Sequence, residues 1–260
     1  LLPAYKWLDP TWSDNVDNGS FTVNKTATTN VVVTNHTAKI FAQLSVAKAL
    51  SGAGGVAQGT QFIINVSCND GYSAAIAVSA NETPKTTGNI AVGSRCTVTE
   101  VPPTGGLVDG SYGWGTPPAA QTVTITAENQ VVPVVITNTT ERRYGTLSIG
   151  KVLTDPDGVY PGGDFTGTWT CTYGQGAGAV VKNGDWSVTA GQPAKGFGGQ
   201  ILIGSTCNVT EDALAAHPSA DTSYVWSASY APGTDVVLTT SAPNASVSVT
   251  NTITGLTGSF

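Results

Sequence analysis

The sequence predicts an all-β chain of tandem β-sandwich domains. Short runs of alternating apolar and polar residues recur through all 260 residues, separated by turns rich in Gly, Pro and Asn. No run of helical period longer than a turn or two interrupts them, which excludes a parallel sheet wrapped in helices. One residue pattern also occurs twice at a spacing of roughly 100–110 residues, about the size of a single domain.

The pattern is defined by offsets. Asn35 precedes Lys48 by 13 residues, and Asn138 precedes Lys151 by the same 13. Lys48 and Lys151 each stand 20 residues before a cysteine, Cys68 and Cys171. A second cysteine, Cys96 or Cys207, stands four residues before Glu100 or Glu211. A Tyr-x-Trp follows in each copy, Tyr112/Trp114 and Tyr224/Trp226, and then Asn138 or Asn251. Tyr5/Trp7 repeats that dipeptide upstream of Asn35. Thirteen residues past Asn251 lies beyond Phe260, so the sequence reads as a stretch of a longer tandem array.

In chain order, residues 1–40 read as the C-terminal part of a preceding domain, with last strands at 21–23 and 31–35. The first complete domain spans 41–141. Leu44, Val46 and Lys48 alternate with small residues, as in a half-buried strand, and 52–59 is a glycine-rich loop. Phe62, Ile64, Val66 and Cys68 share a face of the next strand. Strands follow at 74–79, 94–100, 121–127 and 131–138, with a forced turn at Pro102-Pro103-Thr104-Gly105-Gly106. The second domain spans 142–255. Leu147, Ile149 and Lys151 open it, and Phe165, Trp169 and Cys171 line its second strand. After a loop at 174–187, strands are expected at 206–211, 224–230, 236–240 and 246–251. Residues 256–260 read as the first strand of a further domain, because Phe260 follows Asn251 by nine residues, as Leu44 follows Asn35 and Leu147 follows Asn138.

Composition narrows the function classes. Charged residues make up 11 %, low for a cytosolic enzyme and usual for a β-rich extracellular protein. The net charge of −6 with no basic run gives nucleic-acid binding no support. No apolar run approaches the roughly 20 residues of a membrane span. The cysteines lack the close C-x-x-C spacing of metal sites, and His36 and His217 fall in different repeats. No metal or other cofactor is expected. Recurrence in register favours intradomain disulfides, Cys68–Cys96 and Cys171–Cys207, over four buried thiols, and disulfides imply an oxidising compartment.

Strand parity carries the chemistry. Successive residues of a strand point to opposite faces. Lys48 therefore extends the apolar row of Leu44 and Val46, Glu100 that of Val98, and Asn138 that of Ile136. Lys151, Glu211 and Asn251 do the same beside Ile149, Val209 and Val249. Buried unpaired charges cost several kcal/mol, so such groups must pair or react. Burial favours the neutral form of an amine and of a carboxylic acid alike. A neutral Lys can attack the Asn side-chain amide while a protonated Glu polarises it and moves protons as ammonia leaves. The product is a Lys–Asn isopeptide bond tying the first strand to the last, with proximity in the fold supplying the rate. The alternative is an unreacted Lys–Glu pair.

These residues resemble the collagen-adhesin B-type (CnaB-type) immunoglobulin-like domains of Gram-positive surface proteins and pilins. The marks are Leu44-Ser-Val-Ala-Lys48, Thr99-Glu100-Val-Pro-Pro-Thr-Gly105 and Ile136-Thr-Asn138, then Leu147-Ser-Ile-Gly-Lys151, Thr210-Glu211 and Val249-Thr-Asn251. The paired cysteines are similar to those of actinobacterial, wall-anchored repeat proteins. One departure is that Asp212-Ala-Leu follows Glu211 where the family has a Pro/Gly turn. The resemblance implies tandem immunoglobulin-like sandwiches, with Lys48/Asn138 and Lys151/Asn251 as bond partners and Glu100 and Glu211 assisting. Asn35 is an equivalent that lacks a partner. It also implies an extracellular, wall-anchored or filamentous location.

The function expected is structural: a stalk or adhesin shaft whose partners are neighbouring repeats, with no enzymatic turnover beyond a single intramolecular bond formation. The rival readings are a module binding a host protein or glycan through the loops at 52–59 and 174–187, and a filament subunit that donates strands to other copies. Other features weigh less. Sequons at Asn18, Asn24, Asn35, Asn65, Asn81, Asn138, Asn208 and Asn244 are frequent because Thr and Ser are. Trp114 and Trp226 read as core rather than a sugar platform. Asp155-Pro-Asp-Gly158 reads as a turn rather than a calcium loop.

Overall fold

The computed structural model describes residues 2, 4–13, 19–213 and 223–256. The sequon at Asn18, His217, and 257–260 of the strand read into 256–260 lie outside them. Contacts divide the chain into two units, Leu1–Gly106 with Trp114–Thr140 and Leu107–Gly113 with Glu141–Phe260. Both are all-β.

The chain opens with short strands, β1 (Tyr5–Trp7), β2 (Thr11–Trp12), β3 (Val33–Thr34) and β4 (Thr37–Lys39). They form two small antiparallel pairs, β1 with β4 and β2 with β3. The expected strand at 21–23 is not formed. Phe21 and Val23 are 46 % and 71 % exposed, so no buried face holds them in a ladder.

The alternation read from 44 to 48 extends over β5 (Phe41–Gly52), whose inward residues Leu44 and Val46 are fully buried. It is followed by β6 (Gln61–Cys68), β7 (Ser73–Ser79), β8 (Lys85–Thr86), β9 (Ile90–Ala91) and β10 (Arg95–Glu100). Next come β11 (Tyr112–Trp114), β12 (Gln121–Thr124) and β13 (Val131–Arg142). One sheet has the order β12-β10-β6-β7, and the other β11-β13-β5-β8 with β9 also on β5. Their inner faces meet in a core that includes Phe62, Ile64, Val98 and Ile136. Gly52 closes β5 with φ +88°, and a Cβ there would lie 2.1 Å from the Thr140 carbonyl oxygen. Only glycine allows the chain to turn at that point.

The second unit repeats the plan with β14 (Tyr144–Thr154), β15 (Asp164–Tyr173), β16 (Val180–Thr189), β17 (Lys195–Leu202) and β18 (Thr206–Glu211). It ends with β19 (Tyr224–Ala231), β20 (Asp235–Val237) and β21 (Asn244–Gly255). Its sheets run β17-β14-β21-β19 and β16-β15-β18-β20 around a core that includes Trp169, Trp186 and Val209. Here the expected 174–187 loop is corrected. β16 pairs with β15 over ten residues from Tyr173↔Val180 to Asp164↔Thr189. Its first half is exposed on both faces, so no two-residue period marks it; only Trp186 and Val188 point inward. β17 is likewise unmarked, since it contains three glycines. One of them, Gly198, faces Trp169, and a Cβ would meet that ring at 3.2 Å. Asp155 accepts hydrogen bonds from the backbone N–H groups of Val159 and Tyr160, which fixes the Pro-Asp-Gly segment as a turn.

The first and last strands of each repeat lie side by side. β5 pairs with β13 and β14 with β21, both in parallel. Each disulfide joins directly opposed residues of neighbouring antiparallel strands, Cys68 with Cys96 on β6/β10 and Cys171 with Cys207 on β15/β18.

Candidate cross-linking sites

Parallel pairing decides where the polar trio meets. In the first repeat Lys48 lies opposite Ile136, and Asn138 opposite Leu50. Lys and Asn are therefore diagonal neighbours on adjacent strands. The second repeat has the same register, with Lys151 opposite Val249 and Asn251 opposite Leu153. All four side-chain bearers are buried: Lys48 and Lys151 are 5 % and 2 % exposed, Asn138 and Asn251 4 % and 0 %.

The Glu reaches them from the facing sheet. Glu100 ends β10, and its carboxylate lies 3.1 Å from Lys48 Nζ through Oε1. The same Oε1 accepts a hydrogen bond from Asn138 Nδ2 at 3.1 Å. In the second repeat Lys151 Nζ donates to Glu211 Oε1 at 2.6 Å, and Asn251 Nδ2 donates to that oxygen at 3.0 Å. In each repeat one carboxylate oxygen thus lies within 3.1 Å of both the amine and the amide nitrogen; in the first repeat the Lys48 amine makes its hydrogen bond to the other oxygen, Glu100 Oε2, at 3.3 Å. The turn missing after Glu211 does not displace it: Asp212 N–H bonds to the Thr166 carbonyl and Glu211 N–H to the Tyr230 hydroxyl.

An aromatic ring lines each site on the lysine side. Lys48 Nζ is 4.5 Å from the Phe62 ring centroid, and Lys151 Nζ 4.3 Å from that of Phe165. This contact escaped the sequence reading, although the signal was there: each Phe follows its Lys by 14 residues. The rings sit in wider aromatic clusters. Trp114 meets Phe62 edge-on at 5.6 Å, and Tyr160 stacks on Phe165 at 5.1 Å and meets Trp226 edge-on. Trp114 and Trp226 are partly buried against the two cores.

The electrostatics follow from burial. Loss of water pulls the pKa of Lys48 and of Lys151 below the ordinary lysine range, and the hydrogen bond and charge of the neighbouring Glu offset only part of it. Asn138 Oδ1 and Asn251 Oδ1 are buried and find no hydrogen-bond partner among the described residues. A buried carbonyl oxygen left so is costly.

A pH dependence follows for a chain in which no bond can form. In Asn251→Ala, Lys151 remains free to titrate. Its folded-state pKa is depressed, so between that value and the ordinary one the unfolded chain binds more protons. Stability therefore rises with pH through that window, and the cost of burying the charge is full below it. Urea midpoints at stepped alkaline pH should show Asn251→Ala gaining on the double variant Asn251→Ala/Lys151→Met. A constant difference between the two would refute the shift.

Asn35, the unpartnered equivalent, is exposed between β3 and β4. Among the described residues, no group of three or more His, Cys, Asp or Glu side chains could hold a metal ion. No helix among them is long and apolar enough to cross a membrane.

A family model described as "Domain of unknown function (DUF5979)" matches residues 44–141 and again 147–254. No curated protein matches the chain. Among solved structures, the chain is similar to the major pilin from Streptococcus pyogenes, at 11 % identity, covering 82 % of this chain and 98 % of that one, with a TM-score of 0.33. It is similar to the Bacillus anthracis TIE protein at 15 % identity, over 86 % of this chain and 37 % of that one, with a TM-score of 0.44. A third similarity is to a bacterial adhesin from Mobiluncus mulieris containing intramolecular disulfide, isopeptide and ester bond cross-links. It stands at 13 % identity over 76 % and 87 % of the two chains, with a TM-score of 0.31.

Proposed function

The chain belongs to the DUF5979 family, which it matches twice, and we propose that each match is a mechanical repeat of an extracellular shaft, closed by one disulfide and one Lys–Asn isopeptide bond. The observation that carries this reading is the shared carboxylate: in both repeats one buried Glu oxygen touches the Lys of the first strand and the Asn of the last.

The chemistry proceeds from that contact. Burial makes the neutral Lys amine accessible, and the neutral amine is the nucleophile. A half-turn of the Asn amide brings Oδ1 to the carboxyl. A protonated Glu then donates to it, which pairs the orphaned oxygen and polarises the carbonyl. Lys Nζ attacks Asn Cγ, the Nζ–Cγ bond forms, and the Cγ–Nδ2 bond breaks. The Glu carboxyl carries a proton from the amine to the leaving nitrogen, which departs as ammonia. Two buried polar groups that were costly become one amide, and the site is spent after a single turnover.

The mechanical role follows from where the bond falls. It ties β5 to β13 and β14 to β21, the strands at which each repeat is entered and left. Tension along the chain then passes through a covalent bond instead of a ladder of hydrogen bonds. A surface location, a shaft or adhesin role, and neighbouring repeats or other copies of the chain as partners complete the proposal.

Intact mass of the oxidised chain tests it. Two ammonia masses should be missing beyond the hydrogens lost to two disulfides. Lys48→Ala and Lys151→Ala should each restore one, as should Glu100→Ala, whose Lys and Asn remain in place. A mass short only of the disulfide hydrogens would sink the cross-linking reading.

A further inference from the structure

We infer that each disulfide is the positioning clamp of its cross-linking site: it closes before the Lys–Asn bond and holds the strand register that delivers the Glu. This rests on the cross-linking reading above and assigns the order of its two covalent steps.

In each repeat the two bonds occupy opposite sheets. Lys48 and Asn138 stand on β5 and β13, and Cys68 and Cys96 on β6 and β10 of the facing sheet. The cysteine strands also carry what the facing sheet brings to the lysine. Glu100 ends β10, and Phe62, whose ring lies 4.5 Å from Lys48 Nζ, stands near the start of β6. The ladder joining these strands runs from Cys96↔Cys68 to Glu100↔Ile64. The second repeat has the same arrangement. Phe165 and Cys171 share β15, Cys207 and Glu211 share β18, and the pairs Cys171↔Cys207 and Gly167↔Glu211 fix their ladder. In both repeats the Glu follows its cysteine by four residues and lies opposite the residue two after the Phe.

Register is what the clamp supplies. The buried faces already forbid a shift of one residue, which would turn the Glu to water. They do not forbid a shift of two. Cys96 and Val98 would then oppose Val66 and Ile64, side chains of similar size that also point inward. The outward-facing Asn65, Ser67 and Thr97 are exposed and carry no buried surface to resist such a shift. Glu100 would move about 7 Å along β6. That is more than twice its 3.1 Å separation from Lys48 Nζ. A covalent bond between directly opposed cysteines excludes this register.

Burial sets the order. All four cysteines are buried in the finished repeats. A dissolved oxidant reaches such thiols before the sheets pack, whereas Lys48 and Lys151 lose their water only once the sheets have packed. In the first step the thiol pair passes two electrons and two protons to a small-molecule disulfide, which leaves as two thiols. The second step needs no oxidant: the Lys Nζ–Asn Cγ bond forms, the Cγ–Nδ2 bond breaks, and ammonia leaves.

The parent chain tests the order when it is made by cell-free synthesis in dithiothreitol and half of it is moved into oxidised glutathione. Samples alkylated with iodoacetamide at intervals are read by intact mass and peptide mapping. Every cross-linked repeat should carry a closed disulfide. The half kept in dithiothreitol should lose ammonia about 100-fold more slowly, the cost of a misplaced catalytic group. Cross-linked repeats with alkylated cysteines, formed at the oxidised chain's rate, overturn the clamp. Cys68→Ala/Cys96→Ala should slow the first repeat alone, with the second repeat as the internal standard. Two further variants separate register from stability. Ile90→Ala truncates the same core at β9 and should destabilise the repeat yet keep the parent rate. Val66→Cys/Val98→Cys, added to the alanine pair, moves the clamp to the next inward-facing pair of the same ladder and should restore the rate. Equal slowing by Ile90→Ala, or a relocated disulfide that closes without restoring the rate, overturns the positioning role. An oxidised parent that loses no ammonia would instead strike the cross-linking reading, which keeps the two failures apart.

Discussion

Asn251→Ala is expected to cost the second repeat about 4.3 kcal/mol, because it opens a covalent loop of roughly 100 residues in the unfolded chain, of which the Cys171–Cys207 disulfide already closes about 36. The estimate takes the loop-closure entropy of a cross-link and applies it to an amide in place of a disulfide. A loss of that size lowers the midpoint of a single domain on the order of 15–25 °C. The substitution is chosen because it leaves the Lys151–Glu211 pair intact, with Nζ and Oε1 2.6 Å apart. The cost then reads the lost tie and not an orphaned charge. Lys151→Ala should be worse by a further 3–5 kcal/mol, since Glu211 is left buried alone. Denaturant unfolding under oxidising conditions checks both. Equal stability of Asn251→Ala and the parent chain would mean that no bond closes this repeat.

Under force the contrast is larger still. A single chain pulled from its ends should show neither repeat releasing the length between its bonded residues. Asn138→Ala should add an unfolding step of about 200 Å in the first repeat: roughly 90 residues lie between Lys48 and Asn138, the disulfide keeps about 28 of them closed, and each of the rest spans about 3.3–3.6 Å extended. Reduction of Cys68–Cys96 in that variant should lengthen the step to about 300 Å. The physical reason is that the bond joins adjacent parallel strands near the points where load enters and leaves. Steps of that length in the parent chain would show that hydrogen bonds alone carry the tension.

How much of this was legible in the sequence depends on what each feature rests on. The repeats were legible because the Lys, Cys, Glu and Asn offsets are local and recur, and parity placed those side chains on the inward face before any pairing was known. The loop read at 174–187 failed for a matching reason. β16 is a strand because β15 offers it a partner over ten residues, and a backbone ladder leaves no two-residue period where both faces meet water. The strand read at 21–23 failed in the opposite sense, being apolar without a partner.

The sequence by itself determined the fold class, the two-fold repetition and the residues that must pair or react, because alternation and spacing are properties of the chain alone. Only the tertiary structure decided that the first and last strands run parallel and adjacent. It also decided that one Glu carboxylate receives both the amine and the amide, and that Phe62 and Phe165 lie against the lysines. The same Val-Thr-Asn context leaves one amide, at Asn251, wholly buried and the other, at Asn35, exposed. Local sequence sets which face a residue joins, but burial is set by what packs on that face, and that requires chain segments far apart in sequence to meet.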